Sequence, residues 1–242
     1  MSPACGMDSS GNLKGEWKVD YRLEQVNGQL YVLAVWDAEW NSYNNAYLIE
    51  EEDGLTVIDS CKEGHLVFLQ HALHKIGKTA DDVKLMLVTH GHEDHVGGET
   101  LFTKARKVIH ADEMLPPGSS ITGELVDKGT IGDYDYTRVG YHTPGSVVFF
   151  HRPSGTLFTG DFLCFFGDPL SEGGLVSKGD DLRQAWMEYL RGGGVSDLPV
   201  FLNGLRIMKD YDADVLCTGH GGVLVGDIDV FLEELITIGK KS

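Results

Sequence analysis

Basic residues are scarce in this chain, which has 20 lysines and arginines against 37 acidic residues and a net charge of −17 at pH 7. Such a charge repels phosphate backbones, so we expect no nucleic-acid partner. The densest basic stretch, residues 104–107, is too short to change this expectation. The acidic excess itself favours solubility and does not indicate a particular partner.

Long apolar runs and paired cysteines are also lacking. No stretch approaches the roughly 18–20 apolar residues of a membrane helix, so no membrane partner is expected. Residues 1–8 have neither the basic start nor the apolar core of a secretion signal, and a cytoplasmic location is therefore the expectation. Cys5, Cys61, Cys164 and Cys217 show no close pairing and are interpreted as free thiols.

Histidines and acids, by contrast, are concentrated in residues 89–95, Thr-His-Gly-His-Glu-Asp-His, directly after the apolar run 85–88. A buried strand that ends in such a turn presents its side chains rigidly to a metal ion. Imidazole nitrogen and carboxylate oxygen suit zinc and iron, and the lack of thiolate argues against a closed structural zinc site. A histidine-rich surface loop is the alternative, which the spacing disfavours.

Three later positions repeat the pattern of an apolar strand followed by a coordinating side chain. His142 precedes a Pro-Gly turn, Asp161 follows the short apolar run 157–160, and His220 follows residues 215–219. Each alone is more often a turn former than a ligand. Their shared placement at strand ends favours a metal site assembled from several segments.

Together these motifs resemble the metallo-β-lactamase superfamily, whose His-x-His-x-Asp-His signature matches residues 90–95. The intervals to the three later positions also resemble the family's, and the resemblance extends from about Asn45 to His220. It implies two metal sites joined by a bridging carboxylate. The implied ligands are His90, His92 and His142 for the first ion, Asp94, His95 and His220 for the second, and Asp161 for the bridge.

The resemblance also implies roles beyond coordination. Asp94 and Asp59 are the expected catalytic residues: Asp94 orients the nucleophile or relays its proton, and Asp59 supports the ligand loop. The expected cofactors are two divalent metal ions, zinc first, with iron or manganese as alternatives. Relatives often carry Pro-Gly just before the third histidine, whereas this chain has Gly140-Tyr141, so the backbone entry to His142 is expected to differ.

Hydrophobic periodicity predicts an α+β fold, a four-layer αβ/βα sandwich that matches the fold implied by the resemblance. Residues 1–15 are expected to form a flexible N-terminal segment, and residues 16–242 a single domain. Strands are predicted near 17–26, 30–36, 45–50, 55–59, 84–89, 107–110, 134–141, 147–151, 156–160 and 214–217. Helices are predicted near 63–76, 99–104, 181–190, 198–209 and 227–238.

The ligand set predicts a dinuclear metallohydrolase. Two divalent ions that share a water lower its pKa from about 15.7 towards 7, and the resulting hydroxide attacks an ester, lactone, thioester or phosphoester of a small-molecule substrate. Alternatives are a mononuclear iron sulfur dioxygenase of the same fold, a non-catalytic binding or sensor protein, and a nuclease, which the acidic surface disfavours. The flavin-linked diiron branch is disfavoured because it usually places Glu where His92 stands.

The substrate class is open at this point. The bridging aspartate resembles the glyoxalase II, lactonase and phosphodiesterase branches more than true β-lactamases, which usually lack it. Trp36, Trp40, Phe165 and Tyr189 are candidates for a pocket wall, although aromatic residues that follow a strand often fill the core instead. Such a wall would favour an apolar acyl chain, lactone or ester. A homodimer through helix faces within residues 181–209 is equally open.

Overall fold

The chain folds into two seven-stranded sheets. The computed structural model describes residues 21–166 and 174–241, and the first sheet is built from the N-terminal part of the chain. Its strands follow chain order: β1 (Tyr21–Gln25), β2 (Leu30–Asp37), β3 (Ser42–Glu51), β4 (Gly54–Ile58), β5 (Val83–Leu87), β6 (Arg106–His110) and β7 (Thr122–Leu125). Strands β1 to β4 pair antiparallel and β4 to β7 pair parallel. Helix α1 (Leu66–Lys75) connects β4 to β5, and the short helix α2 (Glu93–Val96) follows β5.

The second sheet has the strand order β12-β14-β13-β11-β10-β9-β8. Its strands are β8 (Lys128–Ile131), β9 (Tyr134–Arg138), β10 (Val147–His151), β11 (Thr156–Phe158), β12 (Val176–Ser177), β13 (Val215–Cys217) and β14 (Val223–Val225). The C-terminal helices are α3 (Asp181–Arg191), α4 (Leu198–Lys209) and α5 (Ile228–Gly239). The parallel pairing of β11 with β13 places the ends of these two strands side by side.

Alternation along β2 shows how the layers are stacked. Val32 and Ala34 face the core that includes the second sheet and α3 to α5, whereas Leu33 and Val35 face a separate core that includes α1. Successive strand residues point to opposite faces, so the first sheet is buried on both sides. The predicted α+β sandwich, with two sheets inside and helices outside, is confirmed.

Most predicted elements are present, with differences at their ends and in short segments. The predicted helix at 99–104 is wrong, because only a single 3-10 turn forms there, at Glu99–Leu101. The short elements β7, β8, β12, β14 and α2 were not predicted, since two to four residues are too few to show a periodicity. The expected flexible segment 1–15 and the start of the first predicted strand lie outside the described residues.

The longest helices in the described part of the chain, α4 and α5, contain 12 residues each. A helix needs about 20 apolar residues to cross a bilayer. None of the described helices is therefore a candidate membrane span.

Buried polar contacts connect β3 to the turn that carries His220. The Asn45 amide Nδ2 donates to the carbonyl oxygens of Thr218, at 3.0 Å, and Gly221, at 2.8 Å. The Tyr47 hydroxyl donates to the same Thr218 oxygen at 2.6 Å. Because these groups are shielded from water, each contact replaces a hydrogen bond that water would otherwise make. The two sheets are therefore fixed to each other next to His220.

We predict that Asn45→Ala lowers the free energy of unfolding by about 1–3 kcal/mol, because it leaves the buried Gly221 carbonyl without its Asn45 donor. Urea denaturation followed by circular dichroism measures the change. Asn203→Ala, at an exposed position of α4, is the matched control and should stay within about 0.5 kcal/mol of wild type. Equal stabilities for the two variants would contradict this account of the sheet contact.

Candidate metal centre

The candidate ligands meet where strands from both sheets end. His90, His92, Asp94 and His95 follow β5 of the first sheet. The second sheet contributes the other three candidates, His142 after β9, Asp161 after β11 and His220 after β13. These side chains form two groups, and within each group the potential ligand atoms lie within 4.8 Å of one another. The first group is His90, His92, His142 and Asp161, and the second group is Asp94, His95 and His220. Every ligand position predicted from the sequence thus lies in one of these groups.

Asp161 lies between the two groups. Its Oδ2 atom is 3.3 Å from His142 Nε2 and 3.9 Å from His90 Nε2, both in the first group. The same carboxylate reaches the second group, with Oδ2 at 3.2 Å from His220 Nε2 and Oδ1 at 3.2 Å from His95 Nε2. Asp161 thus contacts imidazole nitrogens of both groups, as expected of a ligand shared by two ions.

The electrostatics of the centre depend on this carboxylate, whose side chain is only 6% exposed. Burial alone would raise the pKa of Asp161, but His95 and His220 hold it well below its usual range. Burial would likewise lower the pKa of His95, yet Asp161 and Asp59 raise it well above its usual value. Burial and the neighbouring His95 lower the pKa of His90, which leaves that imidazole neutral, the form that coordinates metals.

Two features of the described residues fit a bound metal. His92 Nδ1 lies 3.1 Å from His90 Nε2 and 3.0 Å from His142 Nε2. A ring nitrogen has either one hydrogen to donate or one lone pair to accept with, so Nδ1 cannot form a full hydrogen bond in both contacts. Nε2 of the buried His95, a candidate ligand atom, also has no hydrogen-bond partner in the part of the chain that the structure describes. Unsatisfied buried polar atoms are costly unless a ligand completes them. The donor set of nitrogens and oxygens is one that zinc and iron accept.

The two groups differ in access. His90 is buried, but His92 and His142 are exposed, so the first group faces solvent on one side. Asp94, His95 and His220 are all buried. The first group is therefore the more accessible of the two to a small molecule.

Asp59 fixes the ligand loop from behind. Its carboxylate accepts hydrogen bonds from the backbone N–H and the hydroxyl of Thr89, both at 2.8 Å, and lies 2.8 Å from His95 Nδ1. Nε2 of His95 is thereby directed towards Asp161. Although the sequence analysis grouped Asp59 with Asp94 as catalytic, this buried carboxylate is engaged by the loop itself. Its geometry is that of a positioning residue.

His220 is oriented in a similar way by the backbone. Its Nδ1 lies 2.9 Å from the carbonyl oxygen of Tyr43 on β3. A carbonyl only accepts, so Nδ1 carries the hydrogen and the Nε2 lone pair is left for the centre. Gly219, the residue before it, allows Asp161 to lie close to this turn, because a Cβ at that position would lie 2.2 Å from Asp161 Oδ1.

The backbone at His142 has an unusual conformation. His142 has a φ of +79°, and Gly140 has a φ of +61°. Residues other than glycine rarely adopt such angles, and they cluster at functional sites where the surrounding structure enforces them. Gly140-Tyr141, where relatives often carry Pro-Gly, therefore leads into a ligand position with a strained backbone.

Glu113 is a functional candidate that the sequence analysis missed. Its Oε2 accepts from the backbone N–H of Gly91 at 2.7 Å, and its Oε1 accepts from the Thr143 hydroxyl at 2.5 Å. Gly91 lies between His90 and His92, and Thr143 follows His142. A single carboxylate therefore connects the two loops of the first group. Glu113 belongs to no motif, and nothing in the local sequence indicates this long-range contact.

The aromatic residues near the centre divide into core and surface. Trp36 packs edge-on against Tyr43, with ring centroids 5.0 Å apart. Trp40 is 42% exposed, and its ring centroid lies 6.2 Å from that of His220. Phe165 and Tyr189 line a cavity beside the centre. Of the four aromatic candidates, Trp40, Phe165 and Tyr189 lie where a ligand at the centre would meet them, and Trp36 contributes to the core.

Comparison with known proteins identifies the family. A model of the metallo-beta-lactamase superfamily matches residues 41–115. The uncharacterized protein YobT of Bacillus subtilis is 32% identical over 209 residues, which are 74% of this chain and 84% of that relative. The chain belongs to the metallo-β-lactamase superfamily.

More distant relatives of this superfamily chain are functionally varied. Ribonuclease J 1 of Streptococcus pyogenes is 24% identical over 210 residues, 74% of this chain but 37% of the ribonuclease. A flavo di-iron protein of Thermotoga maritima, solved as a mutant, superposes with a TM-score of 0.75 at 17% identity and covers 93% of this chain. The chain spans 62% of that structure. The superposition shows the shared fold and does not identify the metal or the reaction.

We predict that Glu113→Ala weakens metal binding at the first group by about 10- to 100-fold, because the two loops lose their common acceptor. Competition with a chromophoric chelator measures the affinity. Glu113→Gln keeps one carbonyl oxygen and should recover part of the loss. Glu234→Ala, at an exposed position of α5, is the control. An affinity within about twofold of wild type in the Glu113→Ala protein would show that the loops do not need this carboxylate.

Proposed function

We propose that this protein is a dinuclear metal-dependent hydrolase that cleaves an ester, lactone, thioester or phosphoester of a small molecule. The position of Asp161 carries the proposal, because its carboxylate lies within 3.3 Å of imidazole nitrogens from both groups. A bridging anion offsets the repulsion between two cations and so favours a pair over a single ion. The second group of three potential ligands favours a pair of ions over the single iron of a mononuclear dioxygenase.

His90, His92 and His142 would hold the first ion, and Asp94, His95 and His220 the second, with Asp161 shared. Zinc suits these nitrogen and oxygen donors, and iron or manganese are the alternatives. When bound, such a pair supplies an activated water at neutral pH and polarises the bond to be cleaved. The exposed edges of His92 and His142 leave the substrate an approach to the pair.

Asp94 is the proposed catalytic residue of the chain itself. The Asn44 amide donates to Asp94 Oδ2 at 3.3 Å, which holds the carboxylate in place. The other oxygen, Oδ1, has no hydrogen-bond partner among the described residues and can orient a water or accept its proton. Asp59 is a positioning residue, because its carboxylate orients the ligand His95.

Two other functions known in similar proteins are less well supported. A nuclease must attract a polyanion, and the net charge of −17 opposes this. A flavin-linked diiron reaction is disfavoured by His92, which stands where that branch usually places Glu. The likeness to a flavo di-iron protein, at 17% identity, reaches only the fold.

We predict that Asp161→Ala reduces the bound metal from two ions per chain to one or fewer and lowers turnover by more than about 100-fold. The cause is the loss of the carboxylate that lies within 3.3 Å of imidazole nitrogens from both groups. Elemental analysis of the purified protein measures the metal content independently of activity. Asp53→Ala, in an exposed turn, is the control. Full metal content and turnover in Asp161→Ala would overturn the dinuclear assignment.

The reaction class is tested with lactones, thioesters, phosphodiesters, phosphotriesters and a β-lactam, on protein of measured zinc, iron and manganese content. We expect hydrolysis of at least one carbonyl or phosphoester substrate, loss of activity after chelation and recovery when metal is restored. Oxygen uptake in place of hydrolysis would indicate an oxidoreductase. Undiminished hydrolysis by chelated protein would contradict metal dependence.

A further inference from the structure

A cavity of about 410 Å³ opens directly beside the metal centre. Its lining includes His142 and Asp161 of the metal centre and Leu182 and Trp186 of α3. Its size falls within the range of about 300–1,000 Å³ that is typical of small-molecule sites. A molecule bound at the metal centre can therefore extend into this cavity without rearrangement.

The wall of the cavity is apolar and held by ring packing. Trp186 stacks on Phe201 with ring centroids 5.8 Å apart and an interplanar angle of 10°, and Phe201 stacks on Phe162 at 5.0 Å and 11°. The Trp186 indole N–H donates to the carbonyl oxygen of Cys164 at 2.8 Å, so this polar group is already satisfied within the protein. The cavity thus presents preformed apolar faces to a ligand.

Charge is confined to the end of the cavity at the metal centre. Asp161 is the acidic and His142 the basic residue of the described lining, which contains no lysine or arginine; its other polar groups are the Tyr141 and Tyr189 hydroxyls and the Cys164 thiol. An anionic group buried in the apolar part would lose its hydration without gaining a partner. The cavity therefore favours an uncharged, apolar group and disfavours a phosphate.

The mouth of the cavity is marked by exposed aromatic side chains. Phe166 is 62% exposed and Tyr189 is 52% exposed, and both line the cavity. Ala185, between them and the wall on α3, is also exposed. Exposed apolar side chains grouped at a concave opening are typical of ligand entry sites.

We propose that this cavity binds the apolar acyl or alkyl group of a neutral ester, lactone or thioester whose scissile bond lies at the His142 and Asp161 end. The inference rests on the proposed hydrolase function and specifies its substrate class. The apolar walls, the restriction of charge to one end and the direct continuity with the metal centre support it. Phosphoesters and polyanions are excluded as preferred substrates.

The test measures binding separately from turnover, with unbranched alkyl hydroxamic acids from two to eight carbons as probes. A hydroxamate chelates the metal centre, and its tail enters the cavity. Calorimetric titration of metal-loaded protein should show affinity that rises roughly fourfold per added methylene until the cavity is filled. Equal affinity across the series would overturn the proposal.

Ala185→Phe provides the matched variant, because it adds a ring to the cavity from an exposed position of α3 and does not remove a core contact. We expect it to abolish the chain-length dependence, with the two-carbon probe bound as in wild type to within about twofold. Gln184→Phe places the same ring on the same helix, outside the cavity lining, and should retain the wild-type series. An Ala185→Phe series that matches wild type would contradict the assignment of the cavity.

Failure of this inference can be distinguished from failure of the proposed function. Ester hydrolysis combined with a flat hydroxamate series would overturn the apolar subsite and leave the hydrolase intact. A steep series on protein that hydrolyses no ester, lactone or thioester would support an apolar ligand site and overturn the hydrolase. Faster cleavage of short phosphodiesters than of long-chain esters would overturn the substrate class.

Discussion

The carboxylate of Asp161 is the contact on which the candidate centre depends. It lies within 3.3 Å of imidazole nitrogens of His95, His142 and His220, and these side chains come from both sheets. Imidazoles crowded in a shielded site repel one another when protonated and need an anion or a metal between them. The short run of β11, followed by Gly160 with a φ of +50°, places that anion where the ends of the two sheets meet. Chemistry at this edge therefore follows from the way the sheets face each other.

A surrounding set of polar contacts holds this arrangement. Asp59 orients His95, Glu113 connects the loops of the first group, and Asn45 fixes β3 to the turn before His220. Each of the three also forms a hydrogen bond with the backbone: Asp59 with the Thr89 N–H, Glu113 with the Gly91 N–H and Asn45 with the Thr218 carbonyl. These contacts hold the ligand loops in fixed positions relative to the sheets. Trp186 and Tyr189 of α3 add aromatic side chains to the cavity beside this polar site.

The sequence predicts which residues lie together where chemistry is concentrated or periodic. The motif at 90–95 is local, and His142, Asp161 and His220 each follow a recognisable apolar strand, so their convergence could be predicted before any coordinates. Glu113 could not be found in this way, because its contacts with Gly91 and Thr143 depend on the folding of distant segments. The helix α2 was missed because its four residues coincide with the ligand motif and show no apolar period. The local sequence makes Trp36 and Trp40 equal candidates for a pocket wall. Only the structure, in which Trp36 packs on Tyr43, shows that Trp36 belongs to the core.

Our central proposal is that the protein binds two adjacent metal ions. It rests on membership of the metallo-β-lactamase superfamily and on the grouping of the candidate ligands. Anomalous diffraction from crystals of the metal-loaded protein, recorded on both sides of the absorption edge of the bound element, tests it most directly. The account predicts two peaks, one among His90, His92 and His142 and the other among Asp94, His95 and His220, with Asp161 between them. A single peak, peaks elsewhere on the surface, or a centre that stays empty at saturating metal would contradict it.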